Sequence, residues 1–185
     1  LNTERALIAL SRVTGDARYR DYAVAGADLL RWRGPVGGHS YTFMNLCIAQ
    51  LDLYRESGDA AMLETSHILM DYLLRRDGMV ISGTCSLREG FHDSQDLKGD
   101  LGESCATAYL IRLAHHLQQL EDKPLYGDLM ERAIFNALFA AQSPDGRRLR
   151  YFVCLEGPRA YYSKEYFCCP GNWRRIVSEL PQMIY

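Results

Sequence analysis

The chain has 185 residues, of which 48% are hydrophobic and 24% charged, and its formal net charge is −2. This balance excludes a disordered chain and a strongly basic nucleic-acid binder, and the length suits one domain. No apolar run approaches the ~20 residues that a membrane-spanning helix needs.

In chain order, residues 4–32 read as a helix, a short break and a second helix. Ala6, Leu7, Leu10 and Val13 keep the i, i+3, i+4 spacing, and Gly15-Asp16 reads as a helix-ending glycine followed by an N-cap. Residues 42–74 repeat the pattern with Leu46, Ala49 and Leu53, and Gly58-Asp59 stands at the break. His39, in Gly37-Gly38-His39-Ser40, opens that helix. Residues 77–104 are polar, glycine-bearing and poorly periodic, and long loops inside compact helical folds are usually functional or disordered. A third helical pair spans 105–139, with Leu110, Leu113 and Leu117 on one face and Pro124 in the first turn of its second helix. Tyr151, Phe152, Val153, Tyr161, Tyr162 and Tyr166 make 147–167 read as a short aromatic β-hairpin. A last helix is expected over roughly 172–185, with Asn172 as N-cap and Cys168-Cys169 in a non-helical turn before it.

The expected fold class is therefore all-α: helical hairpins arranged as an α/α toroid, with residues 1–185 forming a single partial domain. Three hairpins cannot close a ring. One edge should expose apolar helix faces, covered by further chain or by a second copy.

Six cysteines, Cys47, Cys85, Cys105, Cys154, Cys168 and Cys169, read as reduced thiols, which suits a cytoplasmic location. Glu103-x-Cys105 with Cys168-Cys169 offers three sulfurs and one oxygen, a donor set that suits Zn2+. The competing reading is a group of buried free cysteines. Glu89, beside Gly90 and Phe91, reads as a general acid or as a solvated loop glutamate. His39, at a helix start, reads as a helix cap or a core histidine, and His67, His115 and His116 read as structural. Asp93, Asp96, Asp100 and Glu103 lack the spacing of an EF-hand. Tyr151 and the nearby tyrosines suit either a sugar-binding surface or packing between hairpins.

Five segments together resemble glycoside hydrolase family 127, the β-L-arabinofuranosidases and their relatives. They are Glu103-Ser-Cys105-Ala-Thr, Glu131-Arg-Ala-Ile-Phe-Asn136, Gln142-Ser-Pro-Asp-Gly146, Tyr151-Phe152 and Cys168-Cys169-Pro-Gly-Asn172-Trp-Arg174. Gly38-His39 and Arg88-Glu89-Gly90-Phe91 resemble the family's upstream motifs more weakly. The resemblance implies an (α/α)6 barrel, usually followed by β-sandwich domains that this chain lacks. It implies Zn2+ held by Glu103, Cys105, Cys168 and Cys169. It also implies a retaining hydrolysis of β-L-arabinofuranosides or a related sugar, with Cys168 as nucleophile and Glu89 as acid/base. His39 and Tyr151 fall on the family's substrate-binding positions. The chain departs from the family at Leu1, where relatives carry a sugar-binding histidine, and at Ile81-Ser-Gly-Thr-Cys85, where they are richer in glycine. The alternative is a helical-repeat binding module, or an inactive homologue, with a structural zinc. The partner expected on the leading reading is a carbohydrate, with no nucleic acid and no membrane.

Overall fold

The computed structural model describes residues 3–95, 98–158, 160–161 and 167–184. Leu1, Asp96, Tyr162 and Tyr166, singled out above, lie outside the described residues.

Helices α1 (Glu4–Thr14) and α2 (Ala17–Gly26) form the first hairpin. The second consists of α3 (Ser40–Ser57) and α4 (Glu64–Arg75), joined through a 3-10 turn at Ala60–Leu63. The third consists of α5 (Ser104–Glu121) and α6 (Pro124–Ala133), followed by α7 (Cys168–Glu179) and the short α8 (Pro181–Ile184). The expected punctuation operates as read. Gly15 and Gly58 end their helices in the left-handed conformation, the Asp16 and Asp59 carboxylates cap the segments that follow, and Pro124 begins α6. Helices α1, α3, α5 and α7 pack side by side in that order, each of the first three backed by its hairpin partner, which is the two-layer plan of an α/α toroid.

Helix α5 is buried on most of its surface. Leu110, Ile111, Leu113, Ala114 and Leu117 join Met44, Ile48 and Leu51 of α3 and Ile176 of α7 in one core. Truncating a leucine in such a core typically costs about 2–5 kcal/mol. Arg112 of α5 donates two hydrogen bonds to Glu179 of α7, at 2.6 and 2.8 Å, and so locks these two helices in register.

Four expectations are corrected. Helix α7 begins at Cys168 with Phe167 as N-cap, so the two cysteines are its first two residues and Asn172 is not a cap. Pro170 causes no break, because the first turn of a helix needs no partner for its N–H groups. The last helix also divides, with α8 starting afresh at Pro181. Finally, no hairpin forms among the described residues of 147–167. Phe152 instead bridges Glu103, and Val153 donates to Leu101 at 2.9 Å, so this segment pairs with the start of α5. The second helix of the third pair is likewise shorter than 139, passing into a π-helical turn at Ile134–Leu138.

Exposed Phe135, Phe139 and Ile184 border an apolar groove of about 370 Å3 beside α6 and α8. No helix among the described residues is long and apolar enough to cross a membrane.

His116 lies beside two guanidiniums, its ring facing Arg55 at 2.8 Å and Arg5 at 3.5 Å. Burial, reinforced by these guanidiniums, pushes the imidazole down to about 3. As pH falls below about 6.5 the unfolded chain takes up a proton that the folded chain refuses until about 3. Stability is therefore complete above 6.5 and declines through this window, by at most about 1.4 kcal/mol per pH unit from this group. His116→Gln should flatten the fall in denaturation midpoint between pH 6 and 4; an unchanged slope would contradict the assignment.

Candidate active site

The start of α5 is fixed by a network of small polar residues. Glu103 is the N-cap, with extended φ and ψ, and its amide donates to Ser86 Oγ at 2.8 Å. Ser104 donates through its amide to Tyr151 O at 2.9 Å and through its hydroxyl to Arg150 O at 2.8 Å. Thr84 and Thr107 join hydroxyls at 2.8 Å. Ser82, Thr84 and Ser86 are all buried, and their alternation in sequence was the available signal that this loop is an ordered wall. Gly102 precedes Glu103 at φ +71°, and a Cβ there would stand 2.9 Å from Thr84 Cγ2. The chain can approach this closely only without a side chain.

Glu89 sits on a strained turn. Arg88 and Glu89 both have positive φ, 49° and 67°, which is unfavourable for non-glycine residues and concentrates at functional positions. Backbone contacts hold the turn: Leu87 pairs with Gly90, and Gly90 bridges His39. The Glu89 carbonyl accepts from the amide and hydroxyl of Ser40, both at 2.8 Å. The N-terminus of α3 thus fixes Glu89 and His39 together. His39 is the N-cap residue of α3, but its side chain makes no cap; Nε2 stands 3.7 Å from Glu89 Oε2, and the ring packs edge-on against Tyr41.

These elements converge. Cys105 lies in the first turn of α5, and Cys168 and Cys169 open α7, so two helix N-termini point their positive ends at one spot. One ligand atom from each of Glu103, Cys105, Cys168 and Cys169 lies within 4.8 Å of the others. Cys169 Sγ donates to Glu103 Oε1 at 3.7 Å, and Asn172 Nδ2 donates to Cys105 Sγ at 3.1 Å. Asn172 is the residue whose role the sequence reading missed: one turn beyond Cys168 on α7, it orients a sulfur. The Tyr151 phenol donates to Glu89 Oε1 and also lies 3.4 Å from Cys168 Sγ. Every residue proposed for the site is therefore brought to one cleft.

Electrostatics follow from the crowding. A hydrogen bond from Cys169, helped by those from Tyr151 and Cys105, lowers the Cys168 thiol to about 5 against the cost of burial. Burial raises Glu103 to about 8, with the negative fields of Glu89 and Cys168 adding to it. Burial and the neighbouring sulfurs push Cys169 far upward. The four groups cannot all ionise without a cation.

They fit one. The Oε2 atom of Glu103 is buried without a hydrogen-bond partner, in a residue with no exposed surface. A buried carboxylate oxygen left bare is costly, and a metal ligand set explains it. Three sulfurs and one oxygen suit tetrahedral Zn2+, and all six cysteines are free.

Beyond Glu89 the cleft opens into a cavity of about 410 Å3. Its walls include Tyr151, Phe152, Tyr161 and Phe167, with Asp100 at one side. Arg150 stacks over the Tyr161 ring at 4.7 Å and donates to its hydroxyl at 2.8 Å.

The family model of the GH127 catalytic domain of β-L-arabinofuranosidase matches residues 2–182. A curated non-reducing end β-L-arabinofuranosidase of Bifidobacterium longum is 26% identical over 90% of this chain, and the chain spans 28% of its length. The solved structure of a GH127 β-arabinofuranosidase superposes with a TM-score of 0.83 at 23% identity, covering 98% of this chain and 32% of its own. A second, a GH127 β-L-arabinofuranosidase from Geobacillus stearothermophilus T6, gives 0.76 at 21% identity, covering 98% and 37%. Each likeness to a solved structure supports the fold.

Gly102→Ala should lower stability by roughly 1–3 kcal/mol, because it adds both left-handed strain and a contact with Thr84. Thermal unfolding of the variant checks this, and an unchanged midpoint would show that Gly102 is not a close-approach residue.

Proposed function

Because the chain belongs to the GH127 family of β-L-arabinofuranosidase catalytic domains, we propose that it forms part of a retaining glycoside hydrolase acting on β-L-arabinofuranosides or a related sugar. The three hairpins would be half of a six-hairpin barrel. The observation that carries the reading is the Tyr151 hydroxyl, which contacts both the Glu89 carboxylate and the Cys168 sulfur. A single phenol oxygen joins the two groups, so they stand at a separation comparable with the ~5–5.5 Å of a retaining carboxylate pair.

The residues would act in two steps. In the first, Cys168 Sγ attacks the anomeric carbon, the bond to the leaving oxygen breaks, and Glu89 gives that oxygen its proton. In the second, Glu89, now a carboxylate, takes a proton from water. The water oxygen bonds the anomeric carbon, the carbon–sulfur bond breaks and the thiolate returns. Two displacements retain the anomeric configuration. A phenol has one proton to donate, so Tyr151 serves the two states in turn. Facing neutral Glu89 it accepts from the carboxyl and donates to the thiolate; facing ionised Glu89 it donates to the carboxylate. His39 beside Glu89 would orient sugar hydroxyls. The aromatic cavity lined by Glu89 and Tyr151 would take the leaving group.

Zn2+ would be held by Glu103, Cys105, Cys168 and Cys169, and when bound it would keep the thiols deprotonated. The protein's own contribution is to set Cys168 half-buried at the open side of this cluster, with Cys105 and Cys169 buried behind it. A binding module with a structural metal would need no carboxylate held on a strained turn beside the cluster.

In the full-length protein, Glu89→Gln should retain most activity on aryl glycosides with good leaving groups and lose about 10²–10⁴-fold on those with poor ones. Cys168→Ser should abolish turnover of both. Equal losses across leaving groups for Glu89→Gln would remove Glu89 from the acid role.

A further inference from the structure

We propose that the same cleft contains a second, weaker divalent-cation site, formed by His39, Glu89 and Glu103, whose occupant competes with substrate. One ligand atom from each of these residues lies within 4.8 Å of the others. Glu103 Oε1 faces the Cys169 sulfur, whereas Oε2 is buried and has no hydrogen-bond partner. Glu89 Oε1 is taken by Tyr151, whereas Oε2 faces His39 Nε2. Glu103 belongs to both groups, so its carboxylate would bridge the two ions, and Glu89 offers Oε2 beside His39.

The second donor set is one imidazole nitrogen and two carboxylate oxygens, with an open position for water. Zn2+, Co2+ and Mn2+ accept such sets, and sulfur is not required.

The second site is the weaker for a visible reason. His39 Nδ1 is buried without a hydrogen-bond partner. Metal-binding histidines normally anchor the second nitrogen, and loss of that anchor costs 10–100-fold in affinity. The ion is therefore an inhibitor acquired at excess metal, not a resident cofactor. That it inhibits rests on the acid role of Glu89 proposed above, since a bound cation holds Glu89 as the carboxylate and keeps it from carrying a proton; the site itself does not depend on that role.

The test titrates the full-length, metal-stripped protein with Co2+ and follows absorbance and bound metal. Wild type should take a first equivalent with an intense sulfur-to-cobalt band, then a second, at least tenfold weaker, that adds no such band. His39→Ala should lose the second equivalent and keep the first, which also reports that the variant is folded. Excess Zn2+ should inhibit wild-type turnover competitively. A single equivalent in wild type, or a second that survives His39→Ala, would overturn the proposal. Absence of the sulfur-to-cobalt band would instead overturn the thiolate centre, so the two failures are distinguishable.

Discussion

Crowding of acidic groups at the starts of two helices is the constraint on which this structure depends. Glu103, Cys105, Cys168 and Cys169 are brought within 4.8 Å of one another in a place with little solvent. Like charges so close cannot coexist unless positive charge is supplied. The fold supplies part of it through the N-termini of α5 and α7, and the four groups form a cluster that could hold a metal ion. Specific contacts hold those two termini in place. The Arg112–Glu179 pair and the core around Leu110, Leu113 and Ile176 keep α5 and α7 in register. Gly102, Ser86 and Thr84 fix the point where α5 begins.

The second element of the cleft is assembled from more distant sequence. Glu89 lies on a loop, His39 at the start of α3 and Tyr151 on a segment paired with residues 101–104. The backbone bonds from Ser40 to Glu89 and from Ser104 to Tyr151 tie both to helix N-termini. The strain at Arg88 and Glu89 is thereby offset by contacts that specify a single position for the carboxylate.

Much of this was legible in the residues. The i, i+3, i+4 spacing and the Gly-Asp breaks marked the hairpins, because helix periodicity and cap chemistry are local. The grouping of Glu103, Cys105, Cys168 and Cys169 was legible because cysteines and a carboxylate at such spacing are rare, and their ligand atoms do lie within 4.8 Å of one another. The start of α7 was misplaced because Pro170-Gly171 reads as a break, although proline within the first turn loses no hydrogen bond. The aromatic run at 147–167 was misread because alternation shows that a segment pairs, not with which segment; its partner lies some fifty residues earlier. The left-handed turn at Glu89 carries no glycine at the two strained positions and so left no mark in the sequence.

The central claim is that a sulfur, Cys168, takes the place usually held by a carboxylate. The most direct measurement incubates the full-length protein with a furanose-shaped electrophile of L-arabinose configuration and maps the modified peptide by mass spectrometry. The account predicts one sugar equivalent per chain, carried on Cys168 and lost when that residue is serine. Attachment to Cys169 or to a glutamate, with Cys168 unmodified, would contradict it.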